Sequence, residues 1–261
     1  MNEQELRDEW NSLEKNWYSI YQWKRITGVR YCDWIAKWIS ESADSIALLD
    51  EGLRKRSFRI DDHHGQISLQ TSVEQITEKR IIRAIYNDQR LPILGRIVDY
   101  EVSLKEVRDA SHGDIDLLCD TGDAALCVEA KKPKSSESIL KAILQAFTYT
   151  SLVSTARGRF LADFNLPHTY KLTPAILTYC SAASGDQLKN LESSPRLLEL
   201  LKLLNGMLAK MQISPFRFFV VDDHKDSFDG SLKSFQASEN GLTKVVFREG
   251  FSWDISEVTA R

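Results

Sequence analysis

The dipeptide Thr121-Gly122 constrains this chain more than any other feature, because of what flanks it. Upstream runs DIDLLCD (114–120), and downstream runs AALCVEAK (124–131). A tight-turn signal between two such runs predicts a β-hairpin with adjacent, antiparallel strands. Successive side chains of a strand point to opposite faces. On the first strand Ile115 and Leu117 are expected on one face, with Asp114 and Asp116 on the other. On the second, Val128 and Ala130 share a face, and Glu129 and Lys131 take the opposite one. Pairing the two strands lets Asp116, Glu129 and Lys131 converge at one end of the sheet.

The elements around the hairpin follow from periodicity. A helix is predicted over 72–87, opened by a capping box with Ser72 at the N-cap and Gln75 at N3. Its apolar face carries Ile81, Ile82 and Ile85, and the same stripe, extended backwards, reaches Glu78 and then Glu74. A carboxylate on a core-facing stripe is costly without a partner, which singles out these two acids. A strand over 97–107 precedes the hairpin. A helix over 136–154 follows it, with Leu140, Ile143, Leu144 and Phe147 on one face. Then come a strand over 174–180, a Leu-rich helix over 195–211 and a strand over 216–221. A closing edge hairpin is expected from 244–247 and 251–253. From residue 72 the order is α-β-β-β-α-β-α-β, an α/β arrangement in which a mixed central sheet is flanked by helices.

Residues 1–50 read as helical, with Trp10, Leu13, Trp17, Ile20 and Tyr21, then Trp34, Ile35, Trp38 and Ile39, at helical spacing. Five of the six tryptophans fall here, and this shift in composition sets off residues 1–70 as a helical, Trp-rich extension of a core domain at 71–261. Packing is the ordinary role of such aromatics; a surface for a partner or for nucleotide stacking is the other. Between the two parts, Phe58, Ile60, Ile67 and Leu69 around DDHHG suggest a hairpin, with Asp61, Asp62, His63 and His64 in its turn.

No apolar run is long enough to cross a membrane. The start, MNEQELRDEW, is acidic and polar, unlike a secretory signal, so the expected compartment is the cytoplasm. Cys119 and Cys127 fall on the two adjacent strands, but buried free thiols are the expected state of all four cysteines. The formal net charge of −3 gives no global attraction to a polyanion. Positive charge is instead local: Arg54, Lys55, Arg56 and Arg59; Lys131, Lys132 and Lys134; Arg157 and Arg159.

Two carboxylates and a backbone carbonyl suit a hard cation, Mg²⁺ or Mn²⁺. Asp116 and Glu129 are the candidate ligands, and the carbonyl of Ala130 is a natural third. Such an ion polarises a phosphoryl oxygen and activates a water. Lys131 would orient that water and stabilise the charge developing on phosphorus. Lys132 and Lys134 would hold the phosphate backbone of a nucleic acid.

With GDID at 113–116, EAK at 129–131 and QAFTY at 145–149, the sequence resembles the PD-(D/E)XK, or restriction-endonuclease-like, nuclease superfamily. The resemblance covers about residues 72–180. It implies an αβββαβ core, Asp116 as the family aspartate, and Glu129 with Lys131 as the E-x-K pair. It also places Gln145 and Tyr149 near the metal and makes Glu78, with Glu74 in reserve, the acid of the first helix. The motif reads GDID rather than Pro-Asp, and Ala130 replaces the commoner Val. Asp114 and His112 are auxiliary candidates, the latter as a general base.

The expected activity is metal-dependent hydrolysis of phosphodiester bonds in DNA, in a restriction, repair or anti-phage defence setting. RNA is the weaker expectation, since no RNA-specific stacking motif is visible. The competing expectation is a nuclease-fold subunit that binds nucleic acid or protein and stays inactive without a helicase or sensor partner. Cutting both strands would favour a homodimer.

Overall fold

The computed structural model describes residues 1–47, 53–60, 77–88, 90–91, 94–106, 113–222 and 246–248. Three helices open the chain: α1 (Glu3–Ser12), α2 (Trp17–Gln22) and α3 (Cys32–Ser42). Then follow α4 (Glu78–Asp88), β1 (Arg90–Leu91), β2 (Gly95–Ser103), β3 (Asp114–Asp120) and β4 (Ala124–Ala130). The second half comprises α5 (Ile139–Ser154), α6 (Arg157–Asp163), β5 (Lys171–Tyr179), α7 (Ala183–Lys189), α8 (Pro195–Lys210), β6 (Arg217–Asp222) and β7 (Val246–Arg248).

The strands form one mixed sheet in the order β1-β2-β3-β4-β5-β6-β7. β4, β5 and β6 run parallel, and the other neighbours are antiparallel. Parallel neighbours need long connections; here α5 with α6, and α7 with α8, supply them. Helices α5 and α8 cover one face together with the N-terminal helices. Helix α4 packs on the other face through Ile81, Ile82 and Ile85. The expected α/β class with a mixed sheet flanked by helices is therefore observed.

The tryptophans of the N-terminal segment are mostly core. Trp10, Trp17, Trp23 and Trp38 are buried, and Trp17 meets Phe147 of α5 edge-on at 4.7 Å. Asn16 caps α2 by accepting from Ser19 N, and α3 lies along α8. These helices thus share the hydrophobic core that lies under α5.

Several boundaries differ from expectation. β2 ends at Ser103 rather than 107; its register shifts between Ile97 and Asp99, and Glu101 sits at φ 43°. α5 begins at Ile139, since Ser138 is the N-cap and accepts from Lys141 N. β5 begins at Lys171, upstream of Pro174, so that proline lies within the strand. The short helices α6 and α7 and the two-residue β1 were not foreseen, for none is long enough to show a period. Ser72, Gln75, the 61–69 part of the suggested hairpin and the 251–253 strand lie outside the described residues.

The face assignment of β3 is also corrected. Ile115 belongs to the core under α5, whereas Leu117 belongs to the core under α4. The β3–β4 ladder runs from Asp120↔Ala125 only as far as Leu117↔Val128, so the strict two-residue alternation is not held at the Asp116 end. The same register places Cys119 opposite Leu126, and Cys119 and Cys127 lie in different cores. All four cysteines are free. Among the described residues, no helix is long and apolar enough to cross a membrane.

Gly95 starts β2 at φ +77°, and a Cβ there would stand 2.2 Å from the Asp120 carbonyl oxygen. Strain and overlap act together, so Gly95→Ala is expected to cost about 2–4 kcal/mol. The measurement is a fall in the urea midpoint at unchanged slope; a loss below about 0.5 kcal/mol would contradict this packing.

Candidate metal centre

The centre forms where the C-terminal end of β4 meets the N-terminal end of β3. Beyond Val128 the two strands no longer pair backbone to backbone. The carboxylate of Asp116 takes over, and its Oδ2 accepts from the Ala130 N–H at 2.7 Å. This bond holds Asp116 beside Glu129. Glu78, from the first turn of α4, reaches the same spot from the opposite face of the sheet. Carboxylate oxygens of Glu78, Asp116 and Glu129 lie within 4.8 Å of one another.

Lys131 lies against this group and is 1% exposed. Its Nζ donates to Glu129 Oε1 at 2.7 Å and to Gln145 Oε1 at 3.2 Å. Two further acids flank it, Glu137 at 3.0 Å and Glu78 at 3.6 Å. Glu137 in turn pairs with Lys141. An ammonium has three N–H donors, and Glu129, Glu137 and Gln145 account for all of them.

The electrostatics follow from crowding in a dry place. Burial pushes the Asp116 carboxyl well above the usual carboxylate range, and the charges of Glu129 and Glu78 push it further. Burial likewise raises Glu129, to about 7, against the pull of Lys131. Burial alone would lower the Lys131 ammonium, but Glu129, Glu78, Glu137 and Asp116 outweigh it and hold it well above the ordinary lysine value. For Glu137 burial is outweighed by Lys131 and Lys141, and its carboxyl sits below the usual range.

The structure therefore brings Glu78, Asp116, Glu129, Lys131 and Gln145 together. Ala130 contributes through its N–H. Tyr149 sits one turn beyond Gln145 on α5, with its hydroxyl 3.2 Å from that of Tyr21 on α2. That hydroxyl occupies the space a side chain at 113 would need, since a Cβ on Gly113 would fall 2.1 Å from it. Tyr149 thus buttresses the start of β3 and ties the N-terminal segment to the centre; it does not join the acids. Asp114 pairs with Ser103 at the strand start and stands apart from the acidic triad. Lys132 and Lys134 follow directly on the centre, Lys132 half-buried and Lys134 exposed. Glu74 and His112 lie outside the described residues.

Glu137 was not foreseen. It stands in the polar run KSSES with no periodicity to mark it, and only the folded chain shows that it lies over Lys131. Its one sequence signal is position, between the E-x-K strand and the Gln145 helix.

No family model, no curated protein and no solved structure matches the chain. What the fold and the centre define is a class, a mixed α/β protein with a buried lysine set among carboxylates at one end of its sheet.

Proposed function

We propose that this protein is a divalent-metal-dependent nuclease that hydrolyses phosphodiester bonds in DNA, on a restriction-endonuclease-like core of the PD-(D/E)XK type. The observation that carries the reading is the convergence of Glu78, Asp116 and Glu129 within 4.8 Å beside the buried Lys131 ammonium. Apart from the two-residue β1 and the short α6, the elements α4, β2, β3, β4, α5 and β5 follow one another in an order that supports the αβββαβ core the resemblance implies. A restriction, repair or anti-phage defence role belongs to the same proposal.

A network of ion pairs serving stability alone is the competing explanation. The surplus of acid argues against it. Glu78, Asp116, Glu129 and Glu137 crowd two amines, Lys131 and Lys141. Ionising all four leaves negative charge in excess, and the cost of that excess is the upward shift of the buried Asp116 and Glu129 carboxyls. A hard cation with oxygen ligands removes that excess, and the carboxylate donor set fits Mg²⁺ or Mn²⁺. Asp116 and Glu129 would hold the ion, with Glu78 and the Ala130 carbonyl as further ligands.

When bound, the ion would supply Lewis-acid activation of the scissile phosphate and the attacking water. Lys131 supplies the rest. Its amine is fully occupied by acceptors. With Glu129 serving as a ligand to the ion, one Lys131 N–H would be available to orient the attacking water and to stabilise charge on the phosphoryl oxygens. Gln145 and Glu137 keep the amine from swinging away. The expected result is cleavage of plasmid and linear DNA in Mg²⁺ or Mn²⁺ and none in EDTA. Cleavage that survives both Lys131→Ala and Glu129→Ala would sink the assignment.

A further inference from the structure

A bound cation and Lys131 would serve the scissile phosphate alone, whereas the flanking phosphates of a nucleic acid need positive charge beyond the acidic centre. One group of cations is built into the fold at the same end of the sheet. Segment 53–60 runs past the C-terminal end of β2: Leu53 bridges Lys105, and Arg54 N donates to the Leu104 carbonyl. Leu104 N in turn donates to the carbonyl of Gly113, the residue before β3. Arg54 lies close enough to Asp114 for their charges to interact, and Asp114 is two residues from Asp116.

The segment is held rigidly. Phe58 is fully buried and meets Phe160 edge-on at 5.3 Å, and its N–H donates to Asp163 at 2.8 Å. Arg159 of α6 covers the Phe58 ring and donates to the carbonyls of Arg54, Lys55 and Arg56. Glu106 accepts from the backbone N–H of Lys55 at 2.7 Å, and also from that of Arg56. Glu106 and Asp163 thus accept from backbone N–H groups, while their charges also interact with Arg54 and, for Glu106, with Arg56. Lys55, Arg56 and Arg59 are exposed and have no ion pair among the described residues. The charge of Arg56 also repels that of Arg54, and exposed cations carried on a segment anchored this way suit a polyanion.

We propose that Lys55, Arg56 and Arg59 form a phosphate-binding ridge that holds the backbone of a nucleic-acid substrate alongside the acidic centre. The choice of nucleic acid rests on the nuclease reading. The ridge lies outside residues 72–180, where the family resemblance falls.

The test measures binding of the full chain to a short fluorescein-labelled DNA duplex by anisotropy in EDTA, over a range of salt. A triple variant, Lys55→Gln, Arg56→Gln and Arg59→Gln, should bind at least tenfold more weakly near 0.1 M salt. Its log K against log salt slope should fall by roughly 2–3. Thermal melting should be unchanged, because these side chains are exposed. The control pair Lys202→Gln and Lys210→Gln on α8, also exposed, should leave both quantities unchanged. An unaltered slope in the triple variant, or an equal loss in the control, overturns the ridge. A wild-type protein that binds through the ridge but never cleaves in Mg²⁺ or Mn²⁺ would overturn the nuclease reading and leave the ridge standing.

Discussion

Glu129→Gln and Lys131→Met will both abolish DNA cleavage, and they will move stability in opposite directions. The first removes a proposed ligand of the ion and the second the amine proposed to act at the scissile phosphate, and losses of about 10²–10³-fold or more are expected. The folded protein sees them differently. Lys131 is the buried counter-charge of three carboxylates that approach within 3.6 Å. Removing one partner of a buried charge group typically costs about 3–5 kcal/mol. For a chain of this size that is a fall in Tm of roughly 10 °C. The loss should shrink toward pH 6, because the abandoned carboxyls can then take up protons.

Glu129→Gln removes a charge that the fold holds at a cost. The Glu129 carboxyl is raised by burial to about 7 in the folded chain, against an ordinary glutamate value of about 4.3 in the unfolded one. A raised carboxyl costs nothing below the unfolded pKa. Its penalty grows as pH climbs and is complete above the folded pKa. Wild-type and variant melting temperatures should therefore coincide near pH 4, below the unfolded pKa. By pH 8, without metal, the variant should be more stable by about 1–2 kcal/mol, a discounted figure because its bond to Lys131 also weakens. Melting in EDTA at both pH values reads this directly. Equal destabilisation by both substitutions would assign the cluster to structure alone.

Strand periodicity was enough to bring Asp116, Glu129 and Lys131 to one place, because the two-residue period and a tight turn are local properties. It failed within β3, where Ile115 and Leu117 belong to different cores. There the Asp116 side chain replaces the backbone ladder, an exchange that no local pattern encodes. Glu78 was legible for an energetic reason: an acid on the stripe of Ile81, Ile82 and Ile85 needs a partner, and Lys131 is among them. Glu137 had no such mark, since it belongs to a polar loop and acquires its role only through tertiary contact. The N-terminal tryptophans illustrate the same limit. Their spacing gave helices, yet only the packing separates buried Trp10, Trp17, Trp23 and Trp38 from Trp34. Trp34 stacks on Tyr31 at 6.0 Å and stays 39% exposed.

Metal should stabilise the protein, more at pH 8 than at pH 6, and most in the variant without its lysine. The first part follows from mass action: a ligand at 100 times its Kd adds about 2.7 kcal/mol. With 261 residues, that raises Tm by roughly 5–10 °C. The pH dependence follows from the upward shifts of Asp116 and Glu129, since protons compete with the cation for the same oxygens. The third part separates a metal site from an ion-pair network. Lys131 and the cation draw on one set of carboxylates, so Lys131→Met leaves Glu129 and Glu78 free for the ion. That variant should show a larger Mg²⁺- or Mn²⁺-induced rise in Tm than wild type while remaining inactive. Asp116→Asn, which keeps the shape of the side chain and removes its charge, should show a smaller one. A network without affinity for metal would give the same melting temperature in Mg²⁺, Mn²⁺ and EDTA for all three proteins, and that result would remove the catalytic role of the centre along with the ion.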